Sequence, residues 1–394
     1  MKKFSAAFTA LILCFALAPP TLAAKKDAVA PEIVYEGEGY QITRTPVDLG
    51  GGEDFVPVFS EFSEGLAAVG ENVIVNGRMQ VANAGYIDST GRLVIERQFD
   101  SAGNFSEGLA AVMKDGLCGM IDRAGNLVVP YEYEYLCDSN EGLIAAMKGG
   151  KFGFINRDNE VVIPFKWDAV ANDGFMEGFA SVANATGYDA NGHKTYKCGV
   201  IDKSGEYVVP LEYGDLHVYS ESLIPVEKKG KWGFLDKRGK TKIAFKFEDA
   251  GIFSEGLAAV KMGGKWGFVN RNGKIVVPFV YDSVGSFSNG LAWAVNDLFF
   301  GYIDASGEAQ MGGDMDAYAI SGFREGFAWC LNYDGETSFI IDTEGKVVLG
   351  RHETEEYQFS QFNGGLSVAA VYRPAEGQNG YTTDFYVYEI VYAP

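Results

Sequence analysis

Few side chains in this 394-residue chain are spaced for chemistry. The three histidines, His193, His217 and His352, stand apart from any His-Glu-x-x-His, Gly-x-Ser-x-Gly or phosphate-loop pattern. His193 sits in a polar stretch, and all three read as surface or loop residues. Neither a cofactor nor a metal is implied. An enzyme would need acidic residues converging in one pocket, which no spacing announces, so a non-catalytic protein is the expectation.

The recurrent acids have a structural explanation. Asp88, Asp122, Asp202, Asp236, Asp304 and Asp342, with Asn270 in the same role, are each followed three residues later by glycine. Asp or Asn opening a turn accepts a backbone N–H, and glycine supplies the positive φ that closes a type I turn with a bulge. A calcium loop needs a dense run of oxygen ligands, which single aspartates do not provide.

Cys118, Cys137, Cys198 and Cys330 remain once Cys14 is assigned to the N-terminal apolar run. Four cysteines in an exported chain permit three disulfide pairings. However, Cys118 and Cys198 stand where other copies of a repeat carry Trp or Phe, which favours buried thiols. Asn104 and Asn184 match the glycosylation pattern by chance.

The remaining candidates are Trp293 and Trp329, three residues after the glycine in GLAWAV and GFAWC. Equivalent positions hold Ala68, Ala111, Ala145, Ser181, Pro225 and Ala259. Two readings follow. The indoles either fill space left by weakened neighbours or form an apolar platform for a sugar ring or a partner's side chain.

These residues are positioned by a repeat. The pattern F-x-x-G-[LF] begins at Phe62, Phe105, Phe175, Phe253, Phe287, Phe323 and Phe362. A second anchor, glycine–apolar–aliphatic–Asp/Asn, begins at Gly85, Gly119, Gly153, Gly199, Gly233, Gly267 and Gly301, with Phe339 in the eighth place; the spacings are 34, 34, 46, 34, 34, 34 and 38. Insertions at Ala183 to Tyr196 and near Met311 to Ala319 explain the exceptions. Another at Glu71 to Ala84 lengthens the first copy in the same place as the Ala183 insertion.

The segments GKWGFVNRNGK, KKGKWGFLDKRGK and KGGKFGFINRDNE resemble the bacterial WG (KWG) repeat over roughly residues 55 to 370. The signature tryptophan is kept at Trp232 and Trp266 and replaced by Phe152, Cys118 and Cys198 elsewhere. The resemblance implies a binding or scaffold module and supplies no catalytic residues.

Within the copy from Phe253 to Ser286, GLAAVKM and KWGFVNR read as two strands of a tight hairpin across Gly263 and Gly264. KIVVP makes a third strand with Pro278 at its far end, and FVYDSV a short fourth. Trp266 and Phe268 fall on one face of the second strand and Val269 on the other, while Ile275, Val276 and Val277 fill both sides of the third. A sheet apolar on both faces must sit between two like it. The expected fold is all-β, tandem ~34-residue repeats forming a β-propeller-like ring, with an open β-solenoid or superhelix as the alternative. FVPVF from Phe55 resembles a third segment, and GLSVAAVY and DFYVYEIVY a first and second, so the two ends are expected to share one unit.

The domain reading is a signal peptide over 1–24, a linker and strand over 25–54, and a repeat domain of about nine units over 55–394. Lys2, Lys3, the apolar run from Ala6 to Ala18 and the small residues before Lys25 describe export with cleavage after Ala23 or Ala24. The run is shorter than the ~20 residues of a spanning helix. The formal charge of -20 argues against nucleic acid or anionic membrane as partner, because both require basic surface. The expected product is a periplasmic, secreted or cell-surface protein binding a protein, or alternatively a carbohydrate or cell-wall ligand.

Overall fold

The computed structural model describes residues 30–392, apart from 38, 48, 50–56, 76–77, 190, 313–316, 318, 332–337, 351–355, 361 and 375–380. The expected export segment, Cys14, Phe55, Val56 and His352 lie outside the described residues. The described residues of 128–315 form one compact unit, and those of 9–127 together with those of 316–394 form a second.

The sixth sheet shows how the repeat folds. Its strands are Asp249–Ser254, Leu257–Met262, Lys265–Asn270 and Ile275–Tyr281, hydrogen-bonded in chain order and antiparallel throughout. Glu255 and Gly256 join the first two with φ of 53° and 79°, and Gly263 and Gly264 join the next two at 63° and 79°. Positive φ at both central residues is the type I′ geometry that matches strand twist. At the third turn Asn270 Oδ1 accepts N–H bonds from Asn272 (3.0 Å) and Lys274 (3.1 Å), and Gly273 closes the turn on the Asn270 carbonyl.

The faces behave as the alternation requires. Phe253, Ala258, Val260 and Val269 enter one core cluster with Phe234 and Phe247 of the preceding sheet. Ala259, Phe268, Val277 and Tyr281 enter another with Phe287, Ala292 and Ile303 of the following one. This sheet is therefore packed on both sides, which is how a blade buries its strands.

Two expectations about the strands are corrected. KIVVP and FVY are one strand, and Pro278 lies in its middle, where Trp266 pairs with Tyr281 and Phe268 with Val277, so the fourth strand bows outward between those pairs. A bulged edge strand owes no ladder N–H there, and proline is tolerated. The segment Ser283–Val284 opens the next sheet by pairing with Val295 and Ala294. Ile275 is exposed while Val277 and Tyr281 are buried, so this strand is apolar inward only.

That bow explains a signature glycine. A Cβ on Gly267 would lie 2.6 Å from the Val277 carbonyl oxygen, so the glycine of Lys-Trp-Gly is required by backbone contact.

Nine sheets occur among the described residues. Eight have four strands in chain order. The ninth has five: Leu366–Pro374 and Tyr381–Tyr392 supply its second and third strands, and Tyr40–Pro46 pairs with the latter from Tyr40↔Tyr392 to Pro46↔Tyr386. Glu32–Gly37 adds an edge strand beyond it. The expectation of a shared unit holds, but with another segment: Pro57–Phe59, inside the anticipated FVPVF, instead begins the first sheet by pairing with Val69 to Glu71. An open superhelix would leave the first and last units apart, whereas here both ends enter one sheet. The fold is an all-β, nine-bladed β-propeller. No helix among the described residues is long and apolar enough to cross a membrane.

Candidate binding face

Most recurrent polar residues serve the frame. Asp202 Oδ1 accepts the Ser204 hydroxyl (2.5 Å) and the N–H groups of Ser204 (2.9 Å) and Glu206 (3.2 Å); Asp304 repeats the arrangement with Ser306 and Glu308. The serine hydroxyl foremost holds both carboxyls below the ordinary Asp range, and the Lys240 N–H does so for Asp236. Their oxygens are consumed by turn N–H groups, as a structural role requires. Among the described residues no cluster of His, Cys, Asp and Glu is arranged to hold a metal.

A second polar device escaped the sequence reading. In six of the first-to-second-strand turns a glutamate sits at positive φ and reaches into the turn of the following sheet. Glu64 accepts the Gly108 N–H, Glu141 that of Gly178, Glu177 that of Ser222, Glu221 that of Gly256, Glu255 that of Gly290, and Glu325 those of Gly364 and Gly365. Left-handed backbone is costly for glutamate, so this bond offsets a local strain. Lys203 lies 3.1 Å from Glu141 and Lys237 3.0 Å from Glu177, and Arg271 donates to the Glu221 carbonyl (2.6 Å). Burial alone would raise the Glu177 carboxyl, but Lys237 and the Ser222 N–H hold it below its ordinary value. The signal was present in the recurring Glu before the anchor glycine.

The two tryptophans fall in different units and are described separately. Trp293 pairs with Tyr302 and is half-buried, its indole lying against the backbone of Gly285, where any Cβ would collide with it. Trp329 pairs with Ile340 and exchanges backbone bonds with Ser321: its N–H donates to the hydroxyl (2.9 Å) and its carbonyl accepts the Ser321 N–H (2.9 Å). Its ring packs on the core of Ile42, Phe327, Tyr357 and Phe359, with Nε1 buried and without a hydrogen-bond partner. The small residues at the equivalent places, such as Ala145 and Ala259, are buried.

His193 is exposed and bonds Asp189 at a turn, and His217 stacks on Trp232 with ring centroids 5.1 Å apart. The four cysteines are buried and form no disulfide, and burial pushes the Cys198 thiol up to about 12. Such a thiol is not a nucleophile at neutral pH.

Side-chain variety collects at the other end of the sheets, where the second and third strands meet. There Lys148 pairs with Glu132 (3.1 Å), Lys151 with Asp168 (2.6 Å), Lys228 with Glu212 (3.0 Å) and Lys265 with Asp282 (2.5 Å). In the fourth sheet the insertion lengthens this hairpin into a ribbon, Phe179–Tyr188 against Lys194–Asp202, paired from Phe179↔Asp202 to Tyr188↔Lys194 with a bulge between Ala185 and Gly187. Thr186 and Thr195 join hydroxyls across it (3.0 Å), and Tyr188, 69 % exposed, stands near its tip. The first sheet is lengthened in the same place, Leu66–Val75 against Arg78–Asp88.

A chain of iterated meander blades, with a sheet shared by its two ends, is a propeller built from one repeat. The WG containing repeat matches six times, at residues 85–118, 119–152, 152–184, 199–232, 232–266 and 266–297, together half of the chain. The protein belongs to the WG-repeat family. No curated protein sequence matches it. Among solved structures, apo AztD from Citrobacter koseri is similar at 11% identity, covering 74% of this chain and 92% of its own, with a TM-score of 0.38. A streptogramin B lyase is similar at 13% identity over 66% of this chain and 93% of its own, TM-score 0.30. An acylaminoacyl peptidase from Pyrococcus horikoshii is similar at 12% identity over 82% and 58%, TM-score 0.38. At these similarities no ligand or activity passes from them to this chain.

Proposed function

We propose that this protein is an exported, non-catalytic propeller scaffold that captures a protein partner on the end of the sheets carrying the long hairpins. The ribbon of residues 179–202 carries the reading. It extends beyond what the blade requires, and it exposes Tyr188 near its tip. Repeats that keep a constant frame while varying surface side chains make binding surface. Export rests on the N-terminal pattern. An intact-mass measurement of the extracytoplasmic protein is expected to start at Ala24 or Lys25, and a membrane species retaining Met1 would reject it.

Binding is tested by a photo-crosslinking residue at Tyr188, with Ile275 on an outer strand as control. A discrete adduct from Tyr188 alone, formed in the native compartment, is expected; equal labelling at both sites, or none, rejects the assignment. The half-buried indole of Trp293 favours a second reading, a sugar-ring platform. Glycan-array binding abolished by Trp293→Ala without loss of stability would establish it.

A further inference from the structure

We propose that Leu298 is an apolar anchor, held out on the hairpin of the seventh sheet to enter an apolar pocket of a partner protein rimmed by lysine or arginine. This rests on the scaffold reading and names the chemistry of its partner.

The seventh sheet pairs Leu291–Asn296 with Phe299–Asp304, ending at Asn296↔Phe299, so Asp297 and Leu298 alone make the turn. Four other hairpins of this length turn on Asp115-Gly116, Gly149-Gly150, Lys229-Gly230 and Gly263-Gly264, with positive φ throughout, the geometry that follows strand twist. Neither Asp297 nor Leu298 has a positive φ. Instead Asn296 Oδ1 accepts the Leu298 N–H (2.9 Å) and fixes a different turn. The leucine is 95 % exposed and buries almost nothing in exchange. A local rule broken without a return in packing is expected at a functional position.

The surroundings change with it. Val280, 45 % exposed, stands where Glu132, Lys166, Glu212 and Lys246 carry charge in other fourth strands. Asn296 stands where Lys148 and Lys228 pair with Glu132 and Glu212, and its Nδ2 donates to the Val280 carbonyl (3.4 Å). One amide side chain therefore touches both Val280 and Leu298. Phe299 stands where Lys151, Lys231 and Lys265 begin the third strand, and its ring packs edge-on against Tyr281. A single exposed leucine is ordinary on a protein surface, but here three neighbouring positions that are charged in other repeats have become Val, Asn and Phe together.

Charge selects the occupant. Asp297 is exposed beside Leu298, and the lysine that feels its charge, Lys265, is already held by Asp282. A cation on the rim of the pocket would meet Asp297 as Leu298 enters. A second copy of this chain would set Asp297 against Asp297 across a twofold contact, with a formal charge of -20 on each side, which repulsion disfavours. The same charge disfavours an anionic membrane.

The test places a photo-crosslinking residue at Val280 and leaves the hairpin intact. In the native compartment it is expected to give one discrete adduct, mapped by tandem mass spectrometry to apolar residues of another protein with lysine or arginine adjacent. Leu298→Gly should cut the yield at least roughly tenfold, as loss of a central anchor does, and Asp297→Lys should cut it several-fold. Both variants carry residues that the fifth sheet holds at the same places, Gly230 and Lys229, so folding is expected to survive, and circular dichroism checks it. No adduct, an adduct to lipid or to a second copy, a mapped site without adjacent lysine or arginine, or a yield unchanged in either variant overturns the proposal. A specific Tyr188 adduct that persists in such a case leaves the scaffold reading standing while this one falls.

Discussion

The sixth and eighth sheets make the same close crossing of third and fourth strands with the glycine on opposite sides. In the sixth, Gly267 of the third strand lets the Val277 carbonyl approach. In the eighth, the third strand carries Phe339, and the fourth is followed by Gly350, where a Cβ would lie 2.7 Å from the Ser338 carbonyl oxygen and 2.9 Å from the Phe339 Cα. Gly350 also has a φ of 97°. The crossing therefore requires one glycine and not a particular strand to carry it. The eroded eighth repeat kept the contact by moving the residue, and its fourth strand shrank to Val347–Leu349.

Substitutions at the crossing should have the largest effects. Gly267→Ala should cost roughly 2 to 3 kcal/mol in urea unfolding, the upper part of the range for overpacking. Gly350→Ala should cost at least as much, because strained backbone adds to the collision. If the eighth sheet relies on Gly350 alone, Phe339→Gly in the Gly350→Ala background should be markedly less harmful than the sum of the single changes. Strict additivity would break the comparison.

The Glu-Gly turns should rank next. Glu177→Ala removes a charge-assisted bond to the Ser222 N–H and should cost about 1 to 2 kcal/mol, while Lys237→Ala should cost under about 1. Comparable losses would mean that the ion pair, and not the turn-to-turn hydrogen bond, joins these sheets. The seventh repeat already carries Ala305 where Lys203, Lys237 and Arg271 stand in others, yet Glu255 keeps its bond to the next turn.

Acid should act on the same groups. The carboxyls of Asp168, Glu177, Asp202, Asp236 and Asp304 are depressed in the folded protein. A depressed group contributes stability that is fully present above its unfolded pKa, about 4 for these residues, and lost as pH falls through the folded value. Denaturant midpoints should be flat from about pH 6 to 8 and drop below about pH 4. A fall on raising the pH across neutrality would contradict the assignment.

Exposed lysine substitutions should be smallest. Lys265→Ala, removing its pair with Asp282, should leave the urea midpoint essentially unchanged. A larger effect would give this end of the sheets a part in stability that the structure places elsewhere.

Much of the frame was legible because a repeat multiplies weak signals. The Asp-x-x-Gly turns, the two faces of the strand that carries Trp266, Phe268 and Val269, and the hairpin glycines each recur several times. The cut between sheets was harder, since a period fixes the length of a unit but not its boundaries, and Pro278 looked like a strand end although a bulged edge strand accommodates it. The partner of the last strands was also hidden: Tyr40–Pro46 carries no repeat motif, and only a contact between distant chain segments identifies it. Glu64 and its counterparts escaped the sequence reading, because the recurring Glu does not say that its bond goes to the next repeat's backbone.

The central claim is that the two ends of the chain complete one sheet, and a cross-link tests it most directly. Thr43 and Glu389 are opposed in the pairing of Tyr40–Pro46 with Tyr381–Tyr392. In a Thr43→Cys, Glu389→Cys variant, mass spectrometry after mild oxidation should find these two cysteines joined, and the bond should raise the melting temperature of the main unfolding transition. Two free thiols in the folded protein, with an unchanged transition, would show that the ends do not meet.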